Sequence, residues 1–243
     1  MTRARMLLVE DDPLIRRFFR MALEDLPVEV VEAVTLAQAR QALTDSRFGL
    51  LVTDLMLPDG SGLKLLADLT ASPALQPGIR AIVCSAGISS VVRQRALALG
   101  AWRLLEKPVA LSILKDCVVQ ALDAAAAPVG EPSAPPLEAP AVRPTAVDAH
   151  FGGQASLYDA FRAASAQQFA ADVDDGDAAC RVGDAAALRR QAHNLKTVLL
   201  LLGADAASAQ AQALEGAAAD PRADRASLVE LWQTLRTAVL ALR

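Results

Sequence analysis

Two periodicities of hydrophobic and polar positions alternate along the first half of the chain. Short apolar runs, typical of buried strands, occupy residues 5–10, 28–33, 48–54, 79–86 and 101–106. Each run is followed by a segment in which apolar residues recur every three or four positions, as in a helix packed on one face: residues 13–26, 35–46, 61–72, 89–100 and 110–125. This strict alternation predicts an α/β domain with a doubly wound, five-stranded parallel sheet covered on both faces.

The second half lacks a strand pattern. Four amphipathic segments joined by short connections predict an all-α, antiparallel four-helix bundle. The first helix is expected to begin near Gln154, and the second is expected to have Asp184 as its N-cap and Gly203 as its stop. Between the halves, residues 125–147 are rich in alanine and proline without either period, which predicts an extended linker. The predicted domains are therefore 3–124 and 148–243.

Composition narrows the possible classes of protein. Alanine-rich sequence with only 4% aromatic residues favours helices, and a net charge of −4 gives no general electrostatic reason to bind nucleic acid. No apolar run approaches the roughly 20 residues of a membrane span, and the first residues do not form a secretory signal. The three cysteines match no metal-binding spacing. We therefore expect a cytoplasmic protein without a membrane partner.

The ends of the predicted strands carry the candidate chemistry, because ligands of parallel sheets bind at the carboxyl edge. Carboxylates follow strands one and three, a hydroxyl follows strand four and a lysine follows strand five: Glu10, Asp11, Asp12, Asp54, Ser85 and Lys107. Carboxylates from adjacent strands suit Mg²⁺, whereas a lysine and a hydroxyl opposite them suit phosphoryl oxygens. Any one acid alone would be interpreted as a solvated loop residue, but the combination indicates a phosphate site.

The segments "LLVEDD", "LLVTDLMLPDGSG", "IVCSA" and "LLEKP" resemble the motifs of response-regulator receiver domains, whose sheet is flavodoxin-like. The resemblance implies that Asp54 accepts a phosphoryl group from a phosphohistidine. It also implies that Asp11, Asp54 and the Met56 backbone carbonyl bind Mg²⁺, with Glu10 acting through water. Ser85 would donate a hydrogen bond to the phosphoryl group, and Lys107 would pair with it.

The same resemblance carries expectations for the backbone and for switching. Gly60 and Gly62 would be available for positive φ, and Pro108 would follow a cis peptide. Leu104 stands where many receivers have a tyrosine or phenylalanine that moves with the serine or threonine. Trp102 would share the sheet face of that position only if no bulge intervenes.

In the second half, a histidine lies within the helical segment "LRRQAHNLKTVLL". On a helical projection His193 points about 140° away from Leu188, which lies on the apolar stripe. Its neighbours one turn away are Arg189, Arg190, Lys196 and Thr197. This placement predicts an exposed imidazole in positively charged surroundings. An incidental histidine on a solvated helix face is the alternative.

The segments "FGG", "GDAAALRRQAHNLK" and "LLGA" resemble a histidine phosphotransfer domain. The resemblance implies that Nε2 of His193 carries a phosphoryl group and that Lys196 stabilises its charge. Thr197 occupies the position where that family usually has glycine, so its side chain narrows the approach to the histidine.

Together these patterns predict a phosphorelay protein that accepts phosphate at Asp54 and exchanges it through His193. The sequence contains no kinase motif or glycine-rich nucleotide loop, so a sensor histidine kinase or another phosphotransfer protein is the expected donor. Another receiver domain is a possible partner, and nucleic acid is not expected to be one. The alternative is a response regulator that acts by phosphorylation-controlled docking, with a bundle that carries no phosphate.

Overall fold

The computed structural model describes residues 4–123 and 145–243, which belong to two compact units, Met1–Pro144 and Thr145–Arg243. Most of the predicted linker, residues 125–144, lies outside the described residues. Its predicted end at residue 147 is wrong. Thr145 accepts a hydrogen bond from the Asp148 amide at 3.2 Å and so caps a helix that begins at Ala146.

The first unit contains the predicted alternation of strands and helices. In chain order the elements are β1 (Ala4–Val9), α1 (Pro13–Ala22), β2 (Val28–Ala33), α2 (Leu36–Asp45), β3 (Leu50–Thr53), α3 (Leu63–Ala71), a 3₁₀ turn (Pro73–Leu75), β4 (Arg80–Ser85), α4 (Ser90–Ala98), β5 (Ala101–Glu106) and α5 (Leu111–Leu122). The strands pair in parallel in the order β2-β1-β3-β4-β5. The five-stranded parallel α/β sheet is therefore confirmed.

Local hydrogen bonds explain where the helices of this unit begin. The Thr35 hydroxyl accepts from the Gln38 amide at 3.1 Å and caps α2. A second cap comes from the loop after β3. The two carboxylate oxygens of Asp59 accept from the amides of Leu36 and Ala37 at 2.8 and 3.0 Å. The first turn of α2 is thus bonded directly to the loop between β3 and α3.

Strand β5 contains a bulge. Ala101 pairs with Ala81 and Arg103 pairs with Ile82, which leaves Trp102 as the extra residue. The Arg103 guanidinium lies 4.4 Å from the centroid of the Trp102 ring. Trp102 was expected to share the sheet face of Leu104 only if the strand had no bulge. Because the bulge is present, Trp102 does not meet that requirement for replacing the aromatic residue that is missing at Leu104.

The second unit is built from helices. They are α6 (Ala146–Phe151), α7 (Ala155–Val182), α8 (Ala185–Leu201), α9 (Asp205–Ala219) and α10 (Arg225–Leu240). The short α6 was not expected from the sequence. Helix α7 packs on α8 and α10, and α9 also packs on α8 and α10. The helical character of the region is confirmed, whereas the antiparallel four-helix bundle stays a prediction.

One glycine determines how closely α7 and α10 approach each other. A Cβ atom at Gly176 would lie 2.1 Å from two ring atoms of Trp232, which is fully buried. The indole Nε1 donates to Asp177 Oδ1 at 2.7 Å, and Arg236 Nε donates to Asp177 Oδ2 at 3.1 Å. The ring therefore packs directly against the backbone of α7 at Gly176, and its Nε1 is held by Asp177.

Within the described ranges, no helix has both the length and the apolar character that a membrane crossing requires.

Candidate functional site

The carboxyl ends of β1, β3 and β5 bring three predicted site residues into direct contact. Glu10 follows β1 and Asp54 follows β3, and both side chains are almost completely buried. Lys107 follows β5, and its ammonium group lies 2.5 Å from Glu10 Oε2 and 2.5 Å from Asp54 Oδ2. A single buried cation therefore joins two buried carboxylates from different strands.

The charges in this cluster shift one another's titration. Burial, with smaller contributions from Asp54 and Asp12, raises the pKa of Glu10 to about 8 against the opposing effect of Lys107. For Lys107 burial acts to lower the pKa, but Asp54 and Glu10 outweigh it and raise the pKa well above the usual 10.5. Burial thus favours the protonated form of Glu10, while the two carboxylates favour the charged form of Lys107.

The backbone around Asp54 fixes its carboxylate. The amides of Leu55 and Met56 both donate to Asp54 Oδ1, the second at 3.1 Å. Gly60 has the expected positive φ, at +143°. The expectation for Gly62 is wrong, since its φ is −55°. Glycine is needed there because a Cβ atom would lie 2.0 Å from the Asp54 carbonyl oxygen.

The remaining predicted residues lie at the same edge of the sheet. Ser85 ends β4 and is buried, and its carbonyl accepts from the Lys107 amide at 3.1 Å. Asp11 is partly buried in the loop after β1. Asp12 has a structural task. Its Oδ1 accepts from the amides of Leu14 and Ile15 at 2.8 and 2.9 Å and caps α1.

The donor set fits a hard divalent cation. Carboxylates and a backbone carbonyl are the oxygen ligands that Mg²⁺ prefers. Burial is the main reason that the pKa of Glu10 is raised, and the negative charges of Asp54 and Asp12 add to it, so a cation nearby would favour the ionised carboxylate. No three His, Cys, Asp or Glu side chains in the described parts of the chain converge enough to hold a metal by themselves. A cation here would thus need the Met56 carbonyl or water besides Asp11 and Asp54.

In the second unit, the predicted exposure of His193 is wrong. Only 3% of the residue is accessible, and Thr197, one turn later, is equally buried. The reason is that α8 is covered along two stripes. The stripe that includes Leu188 also contains Ala192, Leu195 and Leu199. The other stripe contains His193, Thr197 and Leu201.

A carboxylate that the sequence analysis missed lies beside the histidine. On α9, Glu215 Oε1 lies 2.7 Å from His193 Nδ1, and Glu215 Oε2 accepts from Lys196 Nζ at 2.5 Å. The available signal was its spacing. Glu215 follows Ala207 and Ala211 at intervals of four, so it lies on the stripe of α9 that is otherwise alanine and buried.

The contact with Glu215 determines which nitrogen of the imidazole faces the carboxylate as a donor. Burial acts to raise the pKa of Glu215, but hydrogen bonds from His193 and Lys196 hold it at about 2. An ionised carboxylate can only accept, so Nδ1 must carry the hydrogen of this bond. The neutral ring then has its lone pair on Nε2, the atom that the family resemblance assigns to phosphoryl transfer.

The depressed pKa of Glu215 predicts a contribution to stability that is lost in acid. It is fully present above the ordinary pKa of 4.5 and disappears as the pH falls towards about 2. Because Glu215 is partly solvated, we expect on the order of 1 to 2 kcal/mol. Urea unfolding at pH 6 and pH 2.5 should show a smaller acid loss for Glu215→Gln than for wild type. The exposed Glu230→Gln is the control, and equal losses in all three proteins would contradict the prediction.

Comparisons with known proteins bear on the first unit. Residues 6–119 match the family model of the response regulator receiver domain. The chain is 33% identical over 122 residues to the response regulator protein PilR of Pseudomonas aeruginosa, covering 50% of this chain and 27% of PilR. It is 37% identical over 109 residues to the KDP operon transcriptional regulatory protein KdpE of Escherichia coli, covering 45% of this chain and 47% of KdpE.

A crystal structure of a response regulator protein from Burkholderia pseudomallei, with a phosphorylated aspartic acid, a calcium ion and citrate, is also similar. It aligns at 26% identity with a TM-score of 0.44, over 51% of this chain and 68% of that one. The chain spans less than half the length of the two curated relatives.

Proposed function

From the premise that residues 6–119 are a response regulator receiver domain of two-component signalling, we propose that this chain is a phosphorelay protein. It accepts a phosphoryl group at Asp54 from the phosphohistidine of a partner, and it exchanges phosphoryl groups through His193. The observation that carries the first step is the buried contact of Lys107 with both Asp54 and Glu10. A phosphoryl acceptor needs an ionised carboxylate with positive charge beside it, and this contact provides both.

Transfer to Asp54 forms a bond between a carboxylate oxygen and phosphorus. The phosphorus–nitrogen bond of the donor breaks, and the electron pair stays on the histidine nitrogen. The amides of Leu55 and Met56 hold the carboxylate in one orientation, and Lys107 neutralises charge on the incoming group. Mg²⁺, held by Asp11, Asp54 and the Met56 carbonyl with Glu10 through water, would supply further positive charge for the phosphoryl oxygens.

Two features support a carrier role for His193. The Glu215 contact leaves the lone pair of the neutral ring on Nε2, and Lys196 is close enough to share the same carboxylate. A lysine beside the ring could stabilise an added phosphoryl group. Since the imidazole is buried, the exchange requires that the region around Thr197 opens when a partner docks.

The second candidate function is docking without phosphate on the histidine. The burial of His193 and Thr197 favours it, because a partner's acidic pocket has to reach Nε2 directly. In this case phosphorylation of Asp54 would control which protein the second unit binds. His193, Glu215 and Lys196 would then serve only to join α8 to α9.

The proposed partners are a sensor histidine kinase or another phosphotransfer protein and, for His193, another receiver domain. PilR is named as a response regulator and KdpE as a transcriptional regulatory protein. Because this chain spans only part of each relative, we do not infer that it shares their regulatory activity. That nucleic acid is not a partner stays a prediction.

The experiment that tests the first step is labelling with radioactive acetyl phosphate and Mg²⁺. Wild-type protein should acquire an alkali-labile acyl phosphate, and Asp54→Asn should acquire none, because the amide lacks the nucleophilic oxygen. Asp68→Asn removes an exposed carboxylate that pairs with Arg40 and should label like wild type. Addition of a chelator should suppress labelling of the wild type. Full labelling of Asp54→Asn at an acyl phosphate would contradict the assignment.

A second prediction separates the carrier from the docking module. Thr197→Gly should speed the appearance of acid-labile, alkali-stable phosphohistidine after incubation with phosphorylated receivers, including this protein's own. We expect a loss of about 1 to 2 kcal/mol in stability from helix propensity and lost packing, so the unit should remain folded.

Thr234→Gly, at an exposed position of α10, controls for the helix penalty and should not change the rate. His193→Gln should remove the acid-labile label and leave that of Asp54. If neither wild type nor Thr197→Gly ever forms phosphohistidine, the carrier role is wrong and the docking alternative stands.

A further inference from the structure

An arginine outside the charged cluster is hydrogen-bonded to the loop after β1, which carries Glu10 and Asp11. Arg16 lies in the second turn of α1, and its side chain is only 16% exposed. Its Nη1 donates to the backbone carbonyls of Glu10 and Asp11 at 2.9 and 2.8 Å. Its Nε donates to the carboxylate of Glu32 on β2 at 3.1 Å. One guanidinium group thus joins the loop after β1 to β2.

The two carbonyls belong to the peptide units on either side of the Asp11 Cα atom. The orientations of these two planes define φ and ψ of Asp11, and φ and ψ fix the direction in which its side chain leaves the backbone. Because a single nitrogen of Arg16 holds both carbonyls, it constrains both dihedrals together. The helix cap made by Asp12 holds the next residue of the same loop.

The neighbouring arginines of α1 do not share this arrangement. Arg20 Nη1 contacts the other oxygen of Glu32 at 3.2 Å, but its side chain is mostly exposed. Arg17 is exposed and, as the next residue of the helix, projects about 100° away from Arg16. Glu32 therefore lies between two arginines, and among the contacts of the described residues it is Arg16 that also donates to the loop carbonyls.

We propose that Arg16 is a positioning residue that aims the Asp11 carboxylate into the acidic site and thereby sets the affinity of the site for a divalent cation. The inference rests on the proposed function, since it assigns Asp11 to the cation. Its chemistry requires arginine, because a planar guanidinium can hold two carbonyls and a carboxylate in fixed directions at once, whereas an ammonium cannot.

The test compares Arg16→Lys with Arg17→Lys, which makes the same conservative change at an exposed position one residue away. Calorimetric titration with MgCl₂ should show about tenfold weaker binding for Arg16→Lys, the usual scale for losing a group that orients a metal ligand. Arg17→Lys should bind like wild type. In metal-free protein, hydrogen exchange at the Asp11 and Asp12 amides should be faster only in Arg16→Lys.

A second variant, together with melting temperatures, distinguishes positioning of Asp11 by Arg16 from a purely structural role of Arg16. Glu32→Gln weakens the contact of Glu32 with Arg16 and leaves the carbonyl contacts, so it should reduce Mg²⁺ affinity in the same direction but by less. Melting temperatures of all variants are measured alongside. Mg²⁺ affinity and amide exchange that equal wild type in both Arg16→Lys and Glu32→Gln would overturn the inference, as would a wild-type protein that does not bind Mg²⁺.

These readouts need no phosphorylation. If wild type fails to label at Asp54 while Arg16→Lys still weakens Mg²⁺ binding, the proposed function fails and the positioning role stands. If wild type labels normally and Arg16→Lys binds Mg²⁺ equally well, the proposed function stands and the role of Arg16 is wrong.

Discussion

Gly176→Ala is expected to lower the free energy of unfolding of the second unit by about 3 kcal/mol. The added methyl group would lie 2.1 Å from the Trp232 ring, so either α7 or α10 must shift. The ring cannot turn aside cheaply because Asp177 holds its Nε1. The better helix propensity of alanine stabilises the helix by only about 1 kcal/mol, which does not offset the clash. Urea unfolding followed by circular dichroism and by tryptophan fluorescence measures the change.

Gly216→Ala is the matched control. It makes the same change within α9, where a Cβ atom would have no neighbour within 4 Å. Here only the propensity gain remains, and we expect stabilisation by about 0.5 to 1 kcal/mol. The two variants should therefore change stability in opposite directions. A Gly176→Ala protein as stable as wild type would show that the close approach to Trp232 is not a constraint.

Lys107→Met is expected to combine a loss of stability with a loss of phosphorylation. Removing the cation leaves Glu10 and Asp54 buried next to each other, and breaking a buried ion pair from one side costs about 3 kcal/mol. Labelling by acetyl phosphate should fall about a hundredfold, because the charge aimed at the phosphoryl group is gone. Mg²⁺ should restore part of the stability by binding the folded state alone.

Lys115→Met provides the comparison on the surface. Lys115 also contacts a carboxylate, that of Asp25 at 2.8 Å, but Asp25 is largely exposed. Exposed pairs contribute about 0 to 1 kcal/mol, so stability and labelling should stay near those of wild type. Equal effects of the two substitutions would mean that burial of the Lys107 cluster has no role in the site.

The first unit was predictable because two local rules act together. Strand and helix periods give the order of elements, and a parallel sheet then brings every strand end to one edge. Glu10, Asp54 and Lys107 could therefore be placed together although they lie far apart in sequence. The reason that position 62 requires glycine was not predictable from the sequence. It is the close approach of the Asp54 carbonyl, and not the backbone dihedrals of Gly62.

The second unit exposes the limit of helical projection. A projection gives the angle between His193 and Leu188, but it does not say how many helices cover α8. Glu215 lies 22 residues away on another helix, and only packing brings it to the imidazole. The bulge at Trp102 has a similar origin, since it depends on the pairing of β5 with β4 and leaves no mark in the alternation.

The carboxylate of Asp59 links the loop after Asp54 to α2 through hydrogen bonds. Its two oxygens hold the first amides of that helix, so a displacement of this loop pulls on the amides of Leu36 and Ala37. The chemical shift of an amide proton depends on its hydrogen bond, so we expect both amide resonances to move when the carboxylate moves. These resonances in a nitrogen–proton NMR spectrum therefore report on the geometry of the loop from a helix that lacks the reacting groups.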